Sequence, residues 1–209
     1  AAQWTAQRYY GGRYRIVPNG VDLSAARPDG ARPHEELRIV FVGRAEERKG
    51  LPVLLRAFEA LRGVGIPARL TVAGPTAEEV EPLLLDPEGI EIAGQVDDAT
   101  KWKLLGEADL LCAPSLGGES FGMVLTRAFA CALPVVASDI TGYRDVMTDE
   151  TGVLVPPGDP EALAAAVAAL LEDEPRRERL GLAARRVAQE RYSWDDIGRR
   201  LETIYRELA

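Results

Sequence analysis

From Leu37 onward the sequence alternates short, almost wholly apolar runs with stretches whose apolar residues recur at helical spacing, and no other feature restricts the fold as strongly. Leu37 to Val42 reads as a strand, and Leu51, Leu54, Leu55, Phe58 and Leu61 line one face of the helix that follows. The same pattern predicts strands at 68–73, 90–93, 109–113, 134–137 and 152–155, with helices at 77–85, 98–107 and 121–132 and a helical turn at 143–147. Strands without polar alternation are buried on both faces, and parallel strands need crossover connections, so the pattern implies a doubly wound parallel α/β domain.

After the last strand, Pro156-Pro157-Gly158-Asp159-Pro160 stops the sheet, with Asp159 placed to N-cap a helix and Pro160 at its first position. Three helices then close the chain, roughly 160–172, 175–191 and 194–208. The last has Ser193 as its N-cap and a stripe of Trp194, Ile197, Leu201, Ile204, Tyr205 and Leu208 that is expected in a core. Residues 1–36 differ: a Tyr-rich, helix-like start, a turn signal at Pro18-Asn19-Gly20, and a polar stretch from Arg27 to Pro33. They read as a lead-in to the domain.

Composition removes several function classes. Of 209 residues, 46% are apolar, which argues against disorder, and 25 Lys and Arg against 33 Asp and Glu give a net charge of -8, which argues against a nucleic-acid partner. The longest apolar run, 162–171, is too short for a membrane span of about 20 residues, and no signal-peptide pattern opens the sequence. Cys112 and Cys131 lack metal-type spacing and His34 is the single histidine, so no metal site is expected and both thiols read as reduced and cytosolic. His34 itself reads as solvated, and Trp4, Trp102 and Trp194 as packing residues.

Open parallel sheets bind ligands outside the carboxyl ends of their strands, and three loops there are unusual. Gly43-Arg44-Ala45-Glu46-Glu47-Arg48-Lys49-Gly50 crowds three cations before a helix, a pattern suited to a phosphate unless Glu46 and Glu47 simply neutralise them. Pro114 to Gly122 runs through Gly117-Gly118-Glu119-Ser120-Phe121 into another helix. There glycines admit a ligand to the backbone, and Glu119 either accepts bonds from sugar hydroxyls or caps the helix. In Gly94 to Lys101, Asp97 or Asp98 N-caps the next helix. Neither G-x-G-x-x-G nor G-x-x-x-x-G-K-[ST] occurs at a strand end, which weakens a dehydrogenase or an ATPase.

Taken together, V-G-R-x4-K-G at 42–50, G-x-V at 94–96 and G-G-E-S-F-G-x-V-L at 117–125 resemble the donor-binding half of a GT-B glycosyltransferase of family 4. Pro18-Asn19-Gly20-Val21-Asp22, P-V-V-A-S-D at 134–139 and T-G-x-L-V-P at 151–156 fit the same family in the same order. Within it, the run from Gly94 through the Glu119 loop is most similar to bacterial phosphatidylinositol mannosyltransferases, which use GDP-mannose.

The resemblance implies a Rossmann-like C-terminal half at 37–192, with 193–209 a helix crossing back to an N-terminal domain. It implies a retaining mannosyl transfer from GDP-mannose to a lipid or polyol acceptor such as phosphatidylinositol, with no metal or other cofactor. It further implies a cytoplasmic enzyme, peripheral at the inner membrane face through its N-terminal domain, whose isolated donor half transfers no sugar. By residue, Arg44 and Lys49, next to Gly43, match the pair that grips the donor diphosphate. Glu119 matches the first acid of an E-x7-E motif on the transferred sugar, Ser120, Phe121 and Gly122 face sugar and phosphates, and Val96, Asp98 and Lys101 line the nucleobase pocket. Arg127 stands where the family has its second acid, which accepts the ribose hydroxyls; arginine only donates, so donor identity is open there. The alternatives are a non-catalytic nucleotide-sugar-binding or scaffold module and, less favoured, a nucleotide-sugar epimerase.

Overall fold

The computed structural model describes residues 8–11, 14–26 and 36–208. Six strands, β1 (Leu37–Val42), β2 (Ala68–Ala73), β3 (Ile90–Gly94), β4 (Leu110–Ala113), β5 (Val135–Ser138) and β6 (Gly152–Val155), form one sheet. Their spatial order is β3-β2-β1-β4-β5-β6, and every pairing is parallel. The order reverses between β1 and β4, where Ile39 pairs with Leu110 and Val40 with Leu111. The two crossovers leaving these strands run in opposite directions, and the carboxyl ends at such a reversal are where open parallel sheets bind ligands.

Alternate residues of β1, β4, β5 and β6 feed two cores, and β2 and β3 feed the first of them. Ile39 and Phe41 of β1 pack with Leu54, Leu55 and Phe58 of α1 (Leu51–Gly63) and with Leu163, Val167 and Leu170 of α6 (Pro160–Leu171) on one face. On the other face Val40, Leu111 and Val135 pack with Leu105 of α3 (Asp98–Glu107) and with Leu125 and Phe129 of α4 (Met123–Ala130). This two-sided burial is why the strands carry so little polar sequence. Both cysteines are buried, and burial pushes the Cys112 thiol up to about 12, which makes it inert at neutral pH.

Several boundaries differ from the periodicity, each for a local reason. The helix expected at 77–85 is α2 (Ala77–Val80) followed by a 3-10 turn at Glu81–Leu83, because Pro82 cannot continue the hydrogen-bond ladder. The helix expected at 121–132 starts at Met123, since Gly122 sits at φ 77 as its N-cap, and it ends before Ala132, at φ 56. The turn near 143–147 is α5 (Thr141–Arg144). The helix expected at 175–191 is α7 (Glu174–Val187) followed by a π turn at Ala188–Tyr192. Asp159 caps α6 through Ala162 N–H at 2.9 Å, with Pro160 in the first turn, and Asp97 rather than Asp98 caps α3 through Thr100 N–H at 2.7 Å.

The stripe on α8 (Trp194–Leu208) is not core. Ser193 caps the helix through Asp196 N–H at 3.1 Å and Ile197 is buried, but Trp194 is 56% and Tyr205 68% exposed and Leu201 is exposed as well. Beyond Ile197 the stripe is exposed at Leu201 and Tyr205 and only half-buried at Ile204, so little of it enters the core. Part of the lead-in packs against its start: Val21 N–H donates to Tyr192 O at 2.7 Å, Val21 bridges Ser193, and Gly20 lies flush against the Trp194 ring. Trp4, His34 and the Arg27 to Pro33 stretch lie outside the described residues.

Candidate donor-binding site

The loop after β1 and the loop after β4 meet at the switch point. Gly50, at φ 68, passes so close to the Pro114 carbonyl that an added Cβ would lie 2.8 Å from the carbonyl carbon, and Leu116 N–H donates to Arg48 O at 2.8 Å. The left-handed backbone and the missing side chain at Gly50 are what allow the two loops to join. Gly50 and Gly122 are also the N-caps of α1 and α4, and no side chain caps either helix. At α1, Val53 N–H already donates to Gly50 O at 3.0 Å and Pro52 has no N–H, and at α4, Leu125 N–H donates to Gly122 O at 2.9 Å, so it is mainly the helix dipole that favours negative charge at these starts.

Glu119 lies between these helix starts and caps neither of them. Its Oε1 accepts from Lys49 Nζ at 2.6 Å and from Arg48 Nη1 at 2.7 Å. Lys49 is 18% and Glu119 12% exposed at the side chain, so their pair is shielded, and Arg48, at 36%, reaches it from the solvent side. Behind it, Gly142 packs against the Glu119 backbone, and the buried Tyr143 hydroxyl sits 2.8 Å from Ser115 Oγ. Burial pushes the Tyr143 phenol up to about 12, the Ser115 hydrogen bond pulling it down and the nearby Glu119 charge adding to the rise. Phe121 meets the Tyr192 ring edge to face at 5.6 Å, and Ser120 is exposed at the loop crest.

The expected pair Arg44 and Lys49 is not brought together. Arg44, 75% exposed, pairs with Glu46 at 2.8 Å beside half-buried Gly43, and Arg48 stands next to Lys49 instead. Arg48 was present in the sequence only as one of three cations, and nothing in the spacing says which of them turns inward. Tyr143 and Ser115 carried no sequence signal as site residues.

A second cluster forms where α3 meets α4. Arg127 donates from Nη1 and Nη2 to the two oxygens of Asp98 at 3.3 and 3.2 Å, and Lys101 Nζ reaches Asp98 Oδ1 at 3.1 Å. The Arg127 guanidinium stands 5.5 Å from the centre of the Trp102 ring, so Trp102 is partner to a cation as well as packing. The hydrogen bond from Lys101, then that from Arg127, holds the Asp98 carboxyl below its ordinary range. Val96 is half-buried just before this cluster. No group of three or more His, Cys, Asp or Glu among the described residues could hold a metal ion.

Comparison with known proteins gives the family and the fold. The family described as glycosyl transferases group 1 matches residues 24–187. A phosphatidyl-myo-inositol mannosyltransferase of Mycobacterium leprae is 40% identical over 203 residues, covering 92% of this chain and 53% of the relative. One of Mycolicibacterium smegmatis is 39% identical over 202 residues, covering 92% and 52%. The chain thus spans about half the length of these curated relatives. Among solved structures, sucrose-phosphate synthase of Thermosynechococcus elongatus superposes with a TM-score of 0.84 at 28% identity, over 98% of this chain and 56% of that one. The C-terminal domain of a glycosyl transferase group 1 protein of Francisella tularensis superposes with a TM-score of 0.72 at 20% identity, over 84% of this chain and all of that one. The fold is that of the C-terminal half of a GT-B glycosyltransferase, and the chain belongs to the glycosyl transferases group 1 family.

Proposed function

We propose that this chain is the donor-binding half of a retaining mannosyltransferase that takes GDP-mannose and delivers the sugar to a lipid or polyol acceptor of the phosphatidylinositol type. The observation that carries the reading is the Lys49–Glu119–Arg48 triad between two uncapped helix starts at the sheet's switch point. The helix starts and Lys49 supply positive potential for a diphosphate, with Arg44 in the same loop, and stabilise the charge that develops on it as the glycosidic bond breaks. Glu119 supplies an acceptor for a hexose hydroxyl, beside the Ser120, Phe121 and Gly122 backbone. The nucleobase lies by Val96, Asp98 and Lys101. Mannose is favoured by the names of the relatives at about 40% identity, and GDP by the resemblance of the run from Gly94 through the Glu119 loop. UDP is the competing nucleotide, since a more distant structural neighbour from Anabaena is described in complex with UDP and glucose.

The acceptor site belongs to the other GT-B domain, so the chain by itself binds donor without transferring sugar. No helix among the described residues is long and apolar enough to cross a membrane, and contact with a lipid acceptor at the inner membrane face is assigned to that other domain. One observation favours a second reading, a binding module without transfer activity: Arg127 engages both oxygens of Asp98, which leaves that carboxylate fewer free acceptor sites for a nucleoside.

Calorimetry with GDP, UDP and ADP tests the proposal. Selective GDP binding supports it, selective UDP binding changes the donor, and binding of none refutes a donor site. Turnover of radiolabelled donor by this chain alone would overturn the two-domain assignment.

A further inference from the structure

Arg48 and Lys49 reach the same oxygen of Glu119, yet they are held very differently. The Arg48 guanidinium is fixed at several points: Nε on Glu46 Oε2 at 2.6 Å, and Nη1 on Glu119 Oε1 at 2.7 Å while it leans on the Gly118 carbonyl at 3.4 Å. Its backbone carbonyl is tied to Leu116 N–H. Among the described residues, the Lys49 ammonium bonds Glu119 Oε1 and no second group. An arginine fork with several anchors is pre-organised, whereas an ammonium on a flexible stem exchanges partners easily. Glu119 Oε2 accepts no bond among the described residues and remains available.

We infer that Arg48 is a positioning residue for Glu119 and that Lys49 is the exchangeable cation of the triad. An arriving diphosphate takes Lys49 from the carboxylate, and Arg48 stays behind to keep Glu119 oriented and charge-compensated, with Oε2 open to a hexose hydroxyl. The inference rests on the donor-site reading above. Its physical basis is that a carboxylate only 12% exposed is costly to leave without a cation, more so with a diphosphate beside it. Without Arg48, Glu119 would retain Lys49 and compete with the diphosphate for it.

The competition gives a test by calorimetry with GDP on the 209-residue chain. Arg48→Met is expected to weaken GDP binding about tenfold or more, and Arg48→Lys to weaken it less. Adding Glu119→Gln to Arg48→Met removes the competitor and is expected to restore GDP affinity to within about threefold of the parent. A thermal melt of the Arg48→Met chain close to the parent's shows that it folds. Loss of affinity without recovery would make Arg48 a direct diphosphate ligand and overturn this inference alone, as would an Arg48→Met chain that binds GDP normally. A parent chain that binds none of GDP, UDP and ADP would overturn the donor-site reading and this inference with it.

Discussion

Gly142→Ala probes the joint that places Glu119. A Cβ at Gly142 would lie 2.7 Å from the Glu119 carbonyl carbon, and the carbonyl oxygen is closer still. Ordinary carbon–carbon contact is about 3.5–4.0 Å, so either α5 or the Glu119 backbone must move by about 1 Å. Both are backbone, and α5 is anchored by the fully buried Tyr143, so no flexible side chain can absorb the clash. Overpacking of this kind costs about 1–3 kcal/mol, which for a domain of this size lowers the melting temperature by roughly 2–12 °C.

The displacement falls on the bonds of 2.6 and 2.7 Å that join Glu119 to Lys49 and Arg48, and a shift of about 1 Å breaks the alignment of Oε2 with a hexose hydroxyl. The expected result by thermal melting and calorimetry is a destabilised chain whose GDP-mannose affinity falls about tenfold while GDP affinity falls less. The smaller loss with GDP follows because Lys49, released from Glu119, stays available to the diphosphate. A variant that melts within about a degree of the parent with unchanged GDP-mannose affinity would refute the reasoning.

Replacing both Arg44 and Lys49 with Ala should weaken GDP binding by about a hundredfold or more, with guanosine affected far less; Lys49→Ala alone should account for most of it, since Lys49 is shielded and Arg44 is not. Arg127→Glu should strengthen GDP binding, by up to about tenfold, and 2′-deoxy-GDP binding less, the gain being limited by repulsion from Asp98; weaker GDP binding would show that Arg127 grips the ligand itself. The Asp98 carboxyl, followed by NMR, should titrate below its ordinary 3.8 and move upward in Arg127→Leu. Because the folded-state value is depressed, the associated stability is complete above 3.8 and is lost as pH falls through the lowered value, so Arg127→Leu should narrow the stability gap between neutral and acid pH.

The sheet and its helices were legible from the chain because their cause is local and repetitive. Leu110–Ala113 and residues 135–137 are apolar throughout because both their faces are covered, and strands at 68–73 and 152–155 and the helix at 98–107 occur where the spacing places them. Helix ends were legible where a side chain or a proline ring sets them, as at Asp159 and Pro160, and less so where a backbone angle does, as at Gly122 and Ala132. Period alone also could not show that the α8 stripe lies mostly outside a core, because an amphipathic face states what it would bury and not whether a partner is present.

The sequence determined that three cations and three carboxylates, Glu46, Glu47 and Glu119, occupy the loops after β1 and β4, since the β-α alternation brings those loops together. Only the tertiary structure decided their pairing. Arg44 and Lys49 start from neighbouring positions in one loop, yet the 3-10 turn at Glu47–Lys49 and the close approach of Gly50 to Pro114 turn Arg48 and Lys49 inward and leave Arg44 with Glu46. The same holds for Arg127, whose partner Asp98 lies on a different helix. Which charge meets which depends on side-chain directions set by packing between segments distant in the chain, and a one-dimensional pattern carries no record of those directions.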